Sequence, residues 1–190
     1  MIKKLYLLIA LVITAKLASA QKELVTIDEH NKYIFYQVAD MPGLTADTMY
    51  KRCLAGIKKK DGFKPVGEDG QAITARSKMM LYSNLSYVKH EEGELSYTLH
   101  IEFKDAKYRY WLTDFAFTPY QRNRYGVYAK LPGGDTPLED LKKKDDGKVL
   151  DNYLDQIARF GKQTGEEIKV FLTPPLKKDT PPAKTDTRKW

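Results

Sequence analysis

Cysteine and histidine are scarce in this sequence, and their scarcity excludes several kinds of site. Cys53 is the only cysteine, so the chain can form no internal disulfide. The three histidines, His30, His90 and His100, lack the His-x-x-x-His or Glu-x-x-His spacing that places metal ligands on one helical face. We therefore predict no metal site and no cofactor, and no catalytic residues can be named from spacing.

The sequence also lacks an apolar run of the roughly 20 residues that cross a membrane. The apolar run at residues 5–15 follows Lys3 and Lys4, ends at Lys16, and leads to Ala18-Ser19-Ala20. A positive start, a short apolar stretch and small residues at a cleavage position are typical of a signal peptide. We predict a leader over 1–20 and an exported protein, periplasmic or secreted, with no transmembrane segment after cleavage.

Charge of one sign does not dominate the chain. The formal net charge is +7 over 190 residues, and part of it belongs to the lysines of the predicted leader. A mildly basic exported chain does not fit the strongly positive surface of nucleic-acid-binding proteins, so we expect no nucleic-acid partner. The length suits one domain with a substantial core. No internal repeat and no second domain is visible in the sequence.

Three segments outside the centre of the chain have simple interpretations. Residues 21–31 are polar and predict a lead-in to the folded domain, which we place at 32–173. The aromatic and β-branched run at 33–38 predicts a first strand. Alternating apolar and polar residues predict a strand over 73–81, and the polar stretch 83–93 that follows predicts a loop.

Two helices are predicted from apolar spacing. The first begins after Thr45, a good N-cap, and repeats apolar residues at Met49, Cys53, Leu54 and Ile57. Cys53 is therefore expected to be buried rather than reactive. The second covers 149–171 and continues through Gly161 and Gly165, although each glycine costs about 1 kcal/mol in a helix interior. One long helix is favoured, with separate short elements as the alternative.

The clearest pattern is a β-hairpin over 95–117. Five apolar residues alternate with polar ones, which indicates a strand with one buried face: Leu95, Tyr97, Leu99, Ile101 and Phe103. A turn centred on Asp105 and Ala106 defines the pairing with the next strand. The core face then pairs Phe103 with Tyr108, Ile101 with Tyr110 and Leu99 with Leu112.

On the other face of this hairpin, the same register pairs Glu102 with Arg109 and His100 with Trp111. Opposite charges and ring contacts favour these pairs by roughly 0.2–1 kcal/mol each. The register also places Asp114 opposite Tyr97, which suggests a hydrogen bond between them. His100, on the face away from the core, could join a surface site.

The last third of the chain contains two irregular segments. Proline and glycine are frequent over 118–147, which we interpret as a long loop that also carries the basic and aromatic run 120–125. The proline-rich residues 174–190 predict a disordered tail.

The element order and the run Lys104-Asp105-Ala106-Lys107-Tyr108-Arg109-Tyr110 resemble a family of exported bacterial proteins. This family, common in gut Bacteroidales, is a domain of unknown function with a TATA-binding-protein-like (TBP-like) fold, and the resemblance covers about residues 33–172. It implies an α+β fold of strand, helix, three antiparallel strands and helix, with the helices packed on one face of a curved antiparallel sheet. It implies no established activity and supplies no catalytic residues. A glycine commonly follows the turn aspartate in the family, where this chain has Ala106.

Two functions fit these observations. The first is a non-catalytic envelope or secreted module that binds a protein, peptide or glycan through a sheet face or the 118–147 segment. Arginine and large aromatic residues commonly anchor such interfaces, and the residues expected to contact the partner are Arg109, Trp111, Arg122, Arg124 and Tyr125. The alternative is a small secreted or periplasmic hydrolase, or an enzyme inhibitor, whose site assembles only in the fold.

Overall fold

The computed structural model describes residues 24–83, 90–141 and 147–173. Its strands are β1 (Val25–Ile27), β2 (Tyr33–Asp40), β3 (Lys64–Glu68), β4 (Ala72–Tyr82), β5 (Glu91–Lys104), β6 (Lys107–Arg122), β7 (Tyr128–Lys130) and β8 (Thr136–Pro137). Its helices are α1 (Ala46–Lys59), α2 (Leu138–Leu141) and α3 (Lys148–Leu172). The predicted leader and the predicted tail lie outside the described residues.

The strands form one antiparallel sheet in the order β1-β2-β6-β5-β4-β3, with β7 and β8 also paired to β6. The sheet is curved and does not close into a barrel. Helix α1 packs on β3, β4 and β5, helix α3 packs on β1, β2 and β6, and the two helices contact each other. The α+β class with the long helices on one face of the sheet is therefore confirmed.

The hairpin of β5 and β6 has the predicted register around its turn. Phe103 pairs with Tyr108, Ile101 with Tyr110, Leu99 with Leu112, Glu102 with Arg109 and His100 with Trp111. The five alternating apolar residues of β5 are all buried. Alternation settles the register here because a shift by one residue would turn every apolar side chain to solvent.

Beyond Thr113 the predicted register is wrong, because β6 contains a bulge. Thr98 pairs with Thr113, but Ser96 pairs with Ala116, so β6 carries one extra residue between these pairs. Asp114 takes a left-handed conformation with φ of 53° and is exposed. Its carboxylate pairs with Lys32 instead of bonding to Tyr97. A bulge of this kind reorients the side chains that follow it.

Helix α1 begins and packs as predicted. The Thr45 hydroxyl accepts a hydrogen bond from the backbone N–H of Thr48, and the Asp105 carboxylate accepts one from Ala46 N at 2.8 Å. Asp105 therefore caps a helix that is distant in sequence, besides forming its own turn. Met49, Cys53 and Ile57 are fully buried against the sheet, and burial raises the pKa of the Cys53 thiol to about 12.

Helix α3 is one continuous helix, and its glycines have a packing role. A Cβ added at Gly161 would lie 2.6 Å from the ring of Phe35, and one at Gly165 would lie 2.1 Å from the hydroxyl oxygen of Tyr110. The helix thus approaches the sheet more closely than any larger residue permits. Tyr110 in turn donates a hydrogen bond to the carbonyl of Gly161 at 3.0 Å.

Three segments predicted to be irregular contain strands. The lead-in includes β1, which pairs with β2, and residues 91–93 of the predicted loop belong to β5. The 118–147 segment includes the end of β6, then β7, β8 and α2. Strand β3, which pairs with β4, was not predicted. These short strands follow from tertiary pairing, because their own residues lack alternation. No helix in the described ranges is long and apolar enough to span a membrane.

Candidate functional site

The candidate site lies on the face of the sheet that is turned away from α1 and α3, which we call the open face. Tyr36 of β2, Trp111 of β6 and His100 of β5 are direct neighbours across these strands. We call these three residues the aromatic row. The His100 and Trp111 rings stack with centroids 5.0 Å apart and planes inclined by 12°. Thr74 of β4 extends the row, and its hydroxyl oxygen lies 3.2 Å from His100 Nδ1.

An ion pair lies beside the aromatic row. Arg109 donates a hydrogen bond from Nε to Glu102 Oε2 at 2.6 Å, and its guanidinium carbon lies 5.6 Å from the centre of the Trp111 ring. The bond to Glu102, with a further contribution from Tyr36, raises the pKa of Arg109. Arg109 is thus oriented by both a carboxylate and an aromatic neighbour, so it presents a positioned group at the surface.

His100 is half-buried and its surroundings act on its charge in opposite directions. Burial disfavours the imidazolium, whereas the carboxylates of Asp114 and Glu102 favour it. Burial has the larger effect, so the pKa of His100 is lowered from its usual value of 6.5. The aromatic row therefore carries less positive charge at neutral pH than an ordinary histidine would give it.

A groove of about 690 Å³ runs between the open face and the turn that joins β1 to β2. Tyr36 and Trp111 line it on one side, and Asp28 and Lys32 line it on the other. The Asp28 carboxylate accepts hydrogen bonds from the backbone of His30 and Lys32, each at 2.9 Å, which holds the turn in shape. The volume of this groove is within the usual 300–1,000 Å³ of ligand sites.

The other three residues expected to contact a partner lie at the tip of the hairpin formed by β6 and β7. Arg122 donates a hydrogen bond to the carbonyl of Gly126 at 3.2 Å, and the guanidinium of Arg124 lies 4.8 Å from the ring centre of Tyr125. Tyr125 is 74% exposed. The Asn123 side chain accepts hydrogen bonds from two backbone N–H groups and so orders the tip.

The structure therefore divides the five predicted contact residues into two clusters. Arg109 and Trp111 are together on the open face, and Arg122, Arg124 and Tyr125 are together at the hairpin tip. Trp111 and Arg122 lie on the same strand, up to about 36 Å apart at 3.3 Å per residue. One small ligand cannot contact both clusters.

Sequence reasoning missed Tyr36 as part of the open face. Ile34, Tyr36 and Val38 alternate with the buried Tyr33 and Phe35, so they share one face of β2. That alternation was available in the sequence, but the pairing of β2 with β6 was not. In the described parts of the chain, no cluster of three or more His, Cys, Asp or Glu residues could hold a metal ion.

Residues 35–118 match a family model described as a domain of unknown function (DUF4468) with TBP-like fold. This segment of the chain belongs to the DUF4468 family. Two solved structures share its fold: a DUF4468 family protein from Bacteroides ovatus ATCC 8483 and a TBP-like protein from Parabacteroides distasonis ATCC 8503. The first has 15% sequence identity and a TM-score of 0.55, and the match covers 80% of this chain and 92% of that one.

The second structure has 14% identity and a TM-score of 0.58, with 78% of this chain and 97% of the other covered. No curated protein is significantly similar to the chain. The whole aromatic row lies inside the segment that matches the DUF4468 model. The hairpin tip at residues 122–125 lies outside it.

Proposed function

We propose that this DUF4468 protein is an exported, non-catalytic binding module whose partner contacts the open face of the sheet. The observation that carries the proposal is the aromatic row with its oriented Arg109, on a face that neither α1 nor α3 covers. Tyr36 and Val38 are 46% and 50% exposed beside it. Aromatic and arginine side chains are the types that dominate binding energy at protein interfaces.

The experiment is capture of a partner by the tagged mature protein from an envelope extract of its native cell. We expect Trp111→Ala and Tyr36→Ala each to weaken capture by more than about 1 kcal/mol. The matched control is Arg124→Ala at the hairpin tip, which should leave capture unchanged. The free energy of unfolding is measured for each variant, because Trp111 also packs on His100.

Undiminished capture by a folded double variant of Trp111 and Tyr36 would contradict the use of the open face. If only Arg124→Ala lost capture, the partner would contact the hairpin tip and not the open face.

The enzyme alternative has one supporting observation, the contact between Thr74 Oγ1 and His100 Nδ1. Nucleophilic catalysis also needs an acid that orients the imidazole, and Glu102 and Asp114 act on His100 only through their charge. Turnover of a substrate that is abolished in both Thr74→Val and His100→Gln would favour this alternative.

Export is part of the proposal and is tested separately. The charged start, the short apolar run and Ala18-Ser19-Ala20 support cleavage of a leader. N-terminal sequencing of the mature protein should begin at Gln21 or within one or two residues of it. An intact chain recovered from the inner membrane would contradict export by this route.

A further inference from the structure

We propose that the partner of the open face is a protein segment that carries acidic side chains, and that Lys64 and Arg76 bind its carboxylates. This inference rests on the proposed function and adds the chemical class of the partner. Two positive charges on neighbouring strands support this inference. Lys64 of β3 and Arg76 of β4 are directly opposite each other in the sheet, and both are exposed.

Like charges at directly opposed positions of a sheet destabilise it. Two other cations beside this face have carboxylate partners: Arg109 pairs with Glu102, and Lys32 pairs with Asp114. Among the described residues, neither Lys64 nor Arg76 has such a partner. The pair is therefore a pre-formed position for an anionic group.

The neighbouring charges increase the positive potential on this side of the sheet. Glu94 accepts hydrogen bonds from both Lys78, at 2.6 Å, and Lys130, at 2.8 Å. Burial opposes the ionisation of Glu94, but the two lysines together outweigh it and lower its pKa. One carboxylate thus faces two ammonium groups, and an excess positive charge remains.

Lys64, Arg76 and Lys78 line a groove of about 870 Å³. Ser96, Thr98 and Asp114 also line this groove. The Thr98 hydroxyl can donate a hydrogen bond to a carboxylate, whereas the Ser96 hydroxyl donates to the Ala116 carbonyl. The charge of Asp114 is compensated by Lys32. Arg76 lies next to the aromatic row: Thr74, which extends the row, and Arg76 are two residues apart on β4, so their side chains are successive on the open face.

The stacking in the aromatic row favours a protein over a polysaccharide. His100 lies parallel to the Trp111 ring, and the guanidinium of Arg109 lies over the same ring. Both neighbours occupy space that a sugar ring stacked on the indole would need. The exposed side chains of Tyr36 and Val38 instead suit apolar side chains of a protein segment that also supplies the carboxylates.

The test uses a fluorescently labelled random copolymer of glutamate and tyrosine as the probe, with dextran sulfate as a polyanion without peptide character. Binding to the mature protein is measured by anisotropy at low salt. We expect Arg76→Gln and Lys64→Gln each to weaken copolymer binding by at least about fivefold. The matched control is Lys59→Gln at the end of α1, which removes the same charge from an exposed position on the helix side.

A second measurement does not depend on binding. The melting temperature of Arg76→Gln should equal or exceed that of the wild type, because the repulsion from Lys64 is removed. Weaker binding by a protein of equal or greater stability cannot be explained by unfolding.

Three outcomes would overturn the inference: no copolymer binding by the wild type, equal weakening in all three variants, or binding of dextran sulfate but not of the copolymer. If one of these occurs while natural capture still depends on Trp111, the acidic partner is wrong and the open-face interface stands. If capture is also independent of Trp111 and Tyr36, both proposals fail.

Discussion

Replacement of Gly165 by alanine tests the close packing of α3 against the sheet. In an open helix interior this change stabilises by about 1 kcal/mol. Here the added Cβ would lie 2.1 Å from the Tyr110 hydroxyl oxygen and 2.8 Å from its ring carbon Cζ. Tyr110 is 1% exposed, so its ring has little room to move. The helix or the tyrosine must therefore shift.

The expected magnitude combines three contributions. Overpacking a core costs about 1–3 kcal/mol, and the large overlap here places Gly165→Ala near the upper end. Displacement of the hydroxyl also disturbs its hydrogen bonding, in which one proton is shared between Gln37 Oε1, at 2.7 Å, and the Gly161 carbonyl, at 3.0 Å; this loss is worth about 1 kcal/mol. Alanine favours a helix over glycine by about 1 kcal/mol, which offsets part of this cost. We therefore expect a net destabilisation of about 2–3 kcal/mol.

The assay is urea unfolding of Gly165→Ala, Tyr110→Phe and the double variant, followed by circular dichroism. Removal of the hydroxyl leaves ring atoms as the nearest contacts of the added Cβ. The double variant should therefore lose about 1–2 kcal/mol less unfolding free energy than the two single variants lose together. Additive effects, or stabilisation by Gly165→Ala alone, would refute the close approach. Gly56→Ala provides a comparison at the contact between α1 and α3: its Cβ would lie 2.4 Å from Cγ and 2.9 Å from Cβ of Phe171, atoms that rotation of the ring does not clear, so this change should also destabilise the protein.

Three further predictions concern single positions. Ala106→Gly should stabilise the protein by up to about 1 kcal/mol in urea unfolding, because Ala106 has a φ of 63° that costs a residue with a Cβ; any loss of stability would contradict this. The Cys53 thiol, with its pKa raised to about 12 by burial, should react with a thiol reagent only as fast as the protein unfolds, and rapid labelling in native buffer would show that it is accessible. The lowered pKa of His100 should make stability fall as pH decreases below about 6.5, since the unfolded state then binds more protons. His100→Gln should flatten this dependence and the exposed His30→Gln should not; an equal slope in all three proteins would exclude His100 as its source.

Part of the candidate site could be predicted from the sequence. Alternation in the hairpin of β5 and β6 places Arg109 beside Glu102 and Trp111 beside His100, and the structure has both pairs. These contacts are local, because a two-residue turn at Asp105 and Ala106 determines which side chains face each other. Tyr36 joins them only through the pairing of β2 with β6, for which no local pattern exists.

The unpredicted strands have a related cause. Strand β3 contains Pro65 and Gly67, and its pairing with β4 includes an irregularity between these residues. Its own sequence is typical of a turn, and it becomes a strand because the edge of β4 offers hydrogen-bonding groups. The bulge at Asp114 likewise depends on tertiary contacts, because Phe115 and Phe117 beyond it are buried in the core and Lys32 is available to pair with the Asp114 carboxylate.

The sequence by itself determined the elements whose signal is periodic: the hairpin around Asp105, helix α1 and helix α3. Periodicity suffices there because a strand or helix with one apolar face can be buried in only one orientation. Only the tertiary structure shows that Gly161 and Gly165 allow α3 to pack closely on the sheet, and that Lys64 and Arg76 oppose each other with no carboxylate partner among the described residues. Both features depend on distances between residues far apart in the chain, and these distances exist only once the strands have paired and the helix has packed against them.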